Sequence, residues 1–217
     1  MNYTENKYLI SPHIDRIPRF SKPLKLGVLA SGKGSNFKAL VEASRNSYLD
    51  ADISLLVVNN PECEAIRRAE ELNIPCKCLD HRNFSSRELY EIELLKILKP
   101  FALEGLVMAG WMRIVTSTLI EEYPNRIINI HPSLLPSFKG TDSINQAIRA
   151  GVKITGCTVH LVRQDIDSGP ILIQASIPIL EKDTKKSLLA RIQVEEHKIL
   201  PLGVAIAGKY WRELRVE

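Results

Sequence analysis

Leu26-Gly27-Val28-Leu29-Ala30-Ser31-Gly32-Lys33-Gly34-Ser35-Asn36 passes from an apolar run, through a turn with two glycines, into a stretch of helical spacing. An uninterrupted run of this kind fits a strand buried on both faces, which is the habit of parallel sheets covered by helices. The same alternation recurs downstream. Apolar runs at 53–58, 76–79, 106–109 and 127–130 are separated by helix-like segments at 62–72, 87–98 and about 117–122, and the first run leads into a helix over 36–45. This βαβα order predicts a mostly parallel sheet with helices on both faces. The last third changes character. Runs at 154–162 and 170–179 follow each other with only a short link, which predicts an antiparallel hairpin added to the core. From about Thr184, the spacing of Leu188, Ile192 and Ile199 predicts a long amphipathic closing helix. Residues 1–23, with Pro12, Pro18 and Pro23 and no sustained period, read as an extended or partly disordered arm.

The turn after the first strand supports two readings. Glycines and the free N–H groups of a helix start can cradle a phosphate, with Ser35 and Asn36 as added donors. A plain turn with Ser35 as the helix N-cap is the other. A dinucleotide fingerprint is disfavoured, since Phe37 replaces the third glycine and Asn59-Asn60 stand where a ribose-binding acid belongs. No Gly-Lys-Ser/Thr follows at the spacing of a nucleotide-binding P-loop.

Asn129-Ile130-His131-Pro132-Ser133-Leu134-Leu135-Pro136 carries the chemistry. Alternate residues of a strand share a face, so Asn129 and His131 emerge together, and Pro132, lacking an N–H, ends the ladder. An amide donor beside an imidazole suits acyl transfer, where a carbonyl oxygen gains charge while a nucleophile loses a proton. Asp165-Ile166-Asp167-Ser168-Gly169-Pro170 links the hairpin strands. Its residue types all favour turns, which is one reading; the other has Asp167 reaching His131, orienting it and favouring its charged form, a contact that spacing by itself does not fix. His160, alternating with Thr158 and Val162, reads as structural or as lying behind the reacting groups. His13 and His81 take no role.

With 217 residues, 45% hydrophobic and 25% charged, the chain fits one large domain with at most a short appendage. Twenty-nine Lys and Arg against 25 Asp and Glu leave a net charge of +4 without a basic block, which argues against nucleic-acid binding. Cys63, Cys76, Cys78 and Cys157 form no disulfide framework and no C-x-x-C site, so reduced thiols and no metal are expected. No apolar run approaches the roughly 18 residues of a membrane span, and the first residues lack a signal-peptide core. A cytoplasmic location follows.

Six blocks then fall in register with a known family: Ser31-Gly32-Lys33-Gly34-Ser35-Asn36, Ala109-Gly110-Trp111-Met112-Arg113-Ile114, the Asn129 to Pro136 block, Gly156-Cys157-Thr158-Val159-His160, Asp167-Ser168-Gly169-Pro170 and Gln193-Val194-Glu195-Glu196-His197. From about residue 24 onward the chain resembles the folate-dependent phosphoribosylglycinamide formyltransferases. The resemblance implies a single Rossmann-like formyltransferase domain over residues 24–217, with 1–23 as an extension. It implies transfer of the formyl group of 10-formyltetrahydrofolate to the glycyl amine of N1-(5-phosphoribosyl)glycinamide in purine (IMP) biosynthesis, by direct transfer through a tetrahedral intermediate. Carried over, Asn129, His131 and Asp167 would be catalytic, and Gly34, Ser35, Asn36, Gln193 and Glu196 would hold the ribonucleotide. Arg87, Met112, Arg113, Ile114, Val115, Asn129 and Asp165 would hold the folate. No metal would be needed. Partners would be small molecules, with no nucleic acid or membrane, in a monomer or weak homodimer. Thr141-Asp142-Ser143-Ile144-Asn145 departs from relatives that carry histidines there, and Trp111 stands where Phe is frequent.

Relatives sharing the catalytic block are less well matched. Formyltetrahydrofolate hydrolase carries an extra N-terminal domain that about 23 residues cannot build, and methionyl-tRNA formyltransferase adds a C-terminal domain where this chain ends at Glu217. Sugar-nucleotide formyltransferases lack a close match to Gly34-Ser35-Asn36. A non-catalytic folate- or phosphate-binding module of the same fold is the alternative from another class, and the retained Asn129, His131 and Asp167 speak against it.

Overall fold

The structure, a computed structural model, describes residues 9–213. In chain order the elements are β1 (Ile10–Ser11), β2 (Leu24–Ala30), α1 (Ser35–Arg45), β3 (Ala51–Val58), α2 (Ala65–Glu71), β4 (Cys76–Cys78), α3 (Arg87–Leu98), β5 (Gly105–Met108), α4 (Ser117–Glu122), β6 (Ile127–His131), α5 (Ser143–Arg149), β7 (Ile154–Leu161), β8 (Ile171–Pro178) and α6 (Lys185–Glu213). They build one eight-stranded sheet in the order β1-β8-β7-β6-β5-β2-β3-β4. Pairings β2/β3, β2/β5, β3/β4 and β5/β6 are parallel, whereas β6/β7, β7/β8 and β1/β8 are antiparallel. The expected mostly parallel sheet with an antiparallel C-terminal hairpin is therefore the observed architecture.

Each strand divides its apolar residues between the two faces. Val28 and Ala30 of β2, Val107 of β5 and Ile128 and Ile130 of β6 pack with α1 and α6, through Phe37, Leu40, Ile192, Ile199 and Val204 among others. Leu29, Leu106, Met108 and Ile127 pack instead against Tyr90, Leu94 and Leu98 of α3 and Leu119 of α4. Leu188, Ile192 and Ile199 are fully buried, as their spacing requires, each worth roughly 1.5–3 kcal/mol of burial. Pro201 sits inside the 29-residue α6.

Three elements differ from the sequence reading. Helix α2 starts at Ala65 rather than near Glu62, because the Asn60 side chain accepts the Glu62 N–H at 3.1 Å and holds that segment as a turn. Residues 143–149 form a short helix within a stretch assigned no element, its apolar Ile144 and Ala147 buried one turn apart. Ile10 and Ser11 of the arm add an edge strand to β8, opposite Ala175 and Gln174. Among the described residues no helix is long and apolar enough to cross a membrane.

Chain order reverses at the neighbours β2 and β5, from which the sheet grows outward in both directions. A crevice opens at the carboxyl ends of such a pair. There the Gly-rich turn after β2, the loop after β5 and the end of β6 come together.

Candidate active site

The crevice is a cavity of about 450 Å³, within the range of small-molecule sites. One end is built by the Gly-rich turn. Gly34 caps α1 in the left-handed region at φ 73°, and no side chain caps the helix, so Ser35 is the first helical residue rather than the N-cap. The first-turn N–H groups have no partner within the helix and stand at the cavity wall. A Cβ at position 34 would lie 2.8 Å from Cβ of Ala65, so both the backbone conformation and the packing require glycine. Ser31 ties this turn to the loop after β5: its N–H donates to the Gly110 carbonyl at 3.1 Å, and its hydroxyl accepts the Met112 N–H at 2.8 Å.

Beside the turn, the Asn36 amide donates to Glu196 Oε2 at 2.9 Å, and Asn36 Oδ1 is buried without a partner. Burial pushes the Glu196 carboxyl above its ordinary value, with the Asn36 bond acting in the opposite direction. Gln193, on the same face of α6, also lines the cavity.

The middle of the cavity holds the polar cluster. Nδ1 of His131 lies 3.3 Å from Asp167 Oδ2, with side chains only 7% and 9% exposed. Nε2 of His131 lies 3.0 Å from the Phe138 carbonyl. A carbonyl can only accept, so Nε2 carries a proton, and the ring satisfies both neighbours only when Nδ1 carries one as well. Asp167 is held at φ 48°, a conformation Asp tolerates better than most residues, and Oδ2 also accepts the Gly140 N–H at 2.9 Å. Asn129 Nδ2 lies 3.2 Å from His160 Nε2 and 3.5 Å from Asp167 Oδ1. One amide hydrogen is thus engaged by His160, and the other is held only weakly.

His160 is the residue that sequence reasoning undervalued. It is 2% exposed, its Nδ1 lies 2.9 Å from the Leu161 carbonyl, and its Nε2 lies 3.7 Å from Asp167. Desolvation lowers its pKa, outweighing the raising effects of the Leu161 carbonyl and Asp167. The ring is a neutral Nδ1–H tautomer whose Nε2 accepts from Asn129. The signal was cross-strand register, since Asn129 stands opposite His160 in β6/β7, and register is not written in spacing alone. Thr158, on the same strand, donates to the Ser133 carbonyl at 2.7 Å and accepts the Leu135 N–H at 3.1 Å, fixing the loop that follows His131.

The other end is apolar. Trp111 and Val115 are buried, Met112 is 71% exposed and Ile114 and Ile166 are partly exposed, all of them lining the cavity. Arg113 also lines it, its guanidinium 4.5 Å from the centre of the Tyr90 ring. Arg87 begins α3 and Asp165 lies in the exposed β7–β8 link. Neither lines the cavity, unlike the other residues the sequence nominated. Among the described residues there is no group of three or more His, Cys, Asp or Glu able to hold a metal ion.

The family model for formyl transferases matches residues 24–204. The chain is 42% identical over 177 residues to the phosphoribosylglycinamide formyltransferase of Bacillus subtilis, covering 82% of this chain and 91% of that one. It is 40% identical over 184 residues to the trifunctional purine biosynthetic protein adenosine-3 of Drosophila melanogaster, covering 84% of this chain but only 14% of that protein's length. The solved glycinamide ribonucleotide transformylase 1 of Symbiobacterium toebii superposes with a TM-score of 0.85 at 34% identity, over 88% of this chain and 90% of its own. With its crevice, polar cluster and glycine turn arranged on this sheet, the chain belongs to the formyl transferase family.

Proposed function

We propose that the protein transfers the formyl group of 10-formyltetrahydrofolate to the glycyl amine of N1-(5-phosphoribosyl)glycinamide in purine biosynthesis. The observation that carries this reading is the meeting of Asn129, His131 and Asp167 between an anion-ready helix start and an apolar slot, in a chain 42% identical to a named phosphoribosylglycinamide formyltransferase. The cavity has an end for each substrate. The N–H groups of 34–36, with Gln193 and Glu196, suit a phosphate and ribose, and the wall of Trp111, Met112, Ile114 and Val115 suits a flat ring system. Arg87 and Asp165, outside the cavity, would meet only the outer part of a long folate.

When bound, the folate supplies an activated formyl carbon, and the remaining work falls to the chain. The amine adds to that carbon, and the oxygen that gains charge is met by the Asn129 hydrogen now held weakly by Asp167. His131, with Nδ1 facing Asp167 and Nε2 facing the Phe138 carbonyl, stabilises the same charge; as the bond from the formyl carbon to the folate nitrogen breaks it gives a proton to that nitrogen, and the proton shed by the attacking amine restores the imidazole. Asp167 keeps the ring oriented throughout. His160, neutral and accepting from Asn129, fixes the direction of the amide. The reading requires no metal.

The same proposal takes residues 24–217 as the formyltransferase domain with 1–23 as an extension, acting in the cytoplasm as a monomer or weak homodimer. The test is direct: purified protein mixed with 10-formyltetrahydrofolate and the ribonucleotide should release tetrahydrofolate, followed by absorbance, in step with formylated product. Folate hydrolysis without formylation of the amine would point to the hydrolase-like alternative, and binding without turnover to a non-catalytic module.

A further inference from the structure

Lys33 stands in the Gly-rich turn immediately before the Gly34 cap, lines the cavity and is exposed. Among the described residues its ammonium makes no ion pair or hydrogen bond, in contrast to Lys38, 3.5 Å from Glu42, and Lys185, 3.2 Å from Asp142. A lysine on a cavity wall with no acid beside it is a cation without a protein counter-ion. The wall next to it is built for a ligand. The first-turn N–H groups of α1 are uncapped, and Asn36, 8% exposed, has a buried oxygen without a partner.

The surrounding charges reinforce that position. Arg68 packs behind the turn, its Cδ 3.6 Å from where a Cβ on Gly34 would lie, and Glu64, 3.9 Å away, offsets it only loosely. Glu196 also lines the cavity, and its carboxyl is engaged with Asn36. Backbone N–H groups alone would accept a monoanion or a dianion with little discrimination. An unpaired ammonium at the rim adds a full charge, whose attraction grows with the charge of the ligand.

We infer that Lys33 is a specificity-determining residue that closes the anion end of the cavity on a dianionic phosphate monoester, favouring phosphorylated ribosides over unphosphorylated ones. The inference rests on the reading of this end as the ribonucleotide site. Lys33 acts through its charge and contributes nothing to the transfer step.

Ribose 5-phosphate serves as the probe, with ribose as the uncharged control, and binding is measured by calorimetry over a range of salt concentrations on wild type, Lys33→Ala and Lys33→Arg. Alongside, the steady-state KM and kcat for the ribonucleotide are measured with 10-formyltetrahydrofolate. The expected result for Lys33→Ala is a loss of about tenfold or more in ribose 5-phosphate affinity, as befits a charge-assisted hydrogen bond. Its salt dependence should be shallower, KM should rise by a similar factor and kcat should hold, with Lys33→Arg recovering most of the loss. Equal affinity, salt dependence and KM in wild type and Lys33→Ala would overturn the inference and leave the formyl-transfer reading intact. A wild type that binds ribose 5-phosphate in a Lys33-dependent way but formylates nothing would sink that reading and leave the phosphate clamp standing.

Discussion

Oδ2 of Asp167 lies 3.3 Å from Nδ1 of His131 and accepts the Gly140 N–H at 2.9 Å, so one carboxylate oxygen both orients the imidazole and anchors the loop beyond it. The two residues come from opposite sides of the β6/β7 seam, His131 from the end of β6 and Asp167 from the link between β7 and β8. Replacing Asp167 with Asn keeps the shape and removes the charge. In Asp167→Asn kcat should fall by on the order of 10²–10⁴, the usual worth of acid–base assistance, while circular dichroism stays native. Turnover within a factor of three of wild type would mean that the pair is structural only.

Asn129 supplies the amide hydrogen nearest the polar cluster, held by His160 at 3.2 Å and by Asp167 at 3.5 Å. Loss of one donor to a developing oxyanion costs about 3 kcal/mol, or roughly a hundredfold or more in rate. Asn129→Ala should therefore lose kcat on that scale, with ribonucleotide KM nearly unchanged, in a steady-state assay. A variant that lost KM and kept kcat would place Asn129 in binding instead.

Burial lowers the pKa of His160 and of His197, in each case mainly through desolvation. Glu42 raises that of His197 and Arg68 lowers it, while Asp167 raises that of His160 and both His131 and Lys139 lower it. A histidine held neutral in the fold is protonated first in the unfolded chain, so the unfolded state binds more protons as pH falls. The stability these groups contribute is present above about pH 6.5, the reference value, and is lost as pH drops from there toward their depressed folded values. Melting temperature should fall as pH is lowered from 8 to 5, and His160→Gln should flatten that dependence relative to wild type. Parallel curves for the two proteins would show that His160 does not titrate in this way.

Glu196 runs the opposite way. Desolvation raises its pKa, so the stability linked to its protonated form is present below the reference of about 4.3 and is lost as pH rises through the raised value. Glu196→Gln keeps a polar group for Asn36 and removes the buried charge. At pH 8 the variant should melt on the order of a few degrees above wild type, with the gap closing toward acid pH, while its ribonucleotide affinity drops. A variant that melts lower at pH 8 would show that the carboxylate is stabilised by groups other than Asn36.

Much of this architecture could be read directly from spacing. The run Leu26 to Ala30 has no polar side chain, and Ile127, Ile128 and Ile130 of β6 are interrupted only by Asn129, because both faces of the sheet are covered, and the 29-residue α6 follows the register of Leu188, Ile192 and Ile199. The short α5 and the edge strand β1 escaped because neither is long enough to establish a period. Ile10 and Ser11 became a strand only because β8 offered an unpaired edge.

The site divides along the same line. Local chemistry in the sequence determined that the chain turns through Gly32 and Gly34 after β2, that Asn129 and His131 share a strand face and that Pro132 ends the ladder, because each depends on residues within a few bonds of one another. Only the tertiary structure decided that Asp167 reaches His131, that His160 holds the Asn129 amide, that Asn36 meets Glu196, and that Arg87 and Asp165 fall outside the cavity. Those contacts depend on strand order, cross-strand register and helix docking. Such quantities are set by packing across the whole sheet, and no stretch of sequence contains them by itself.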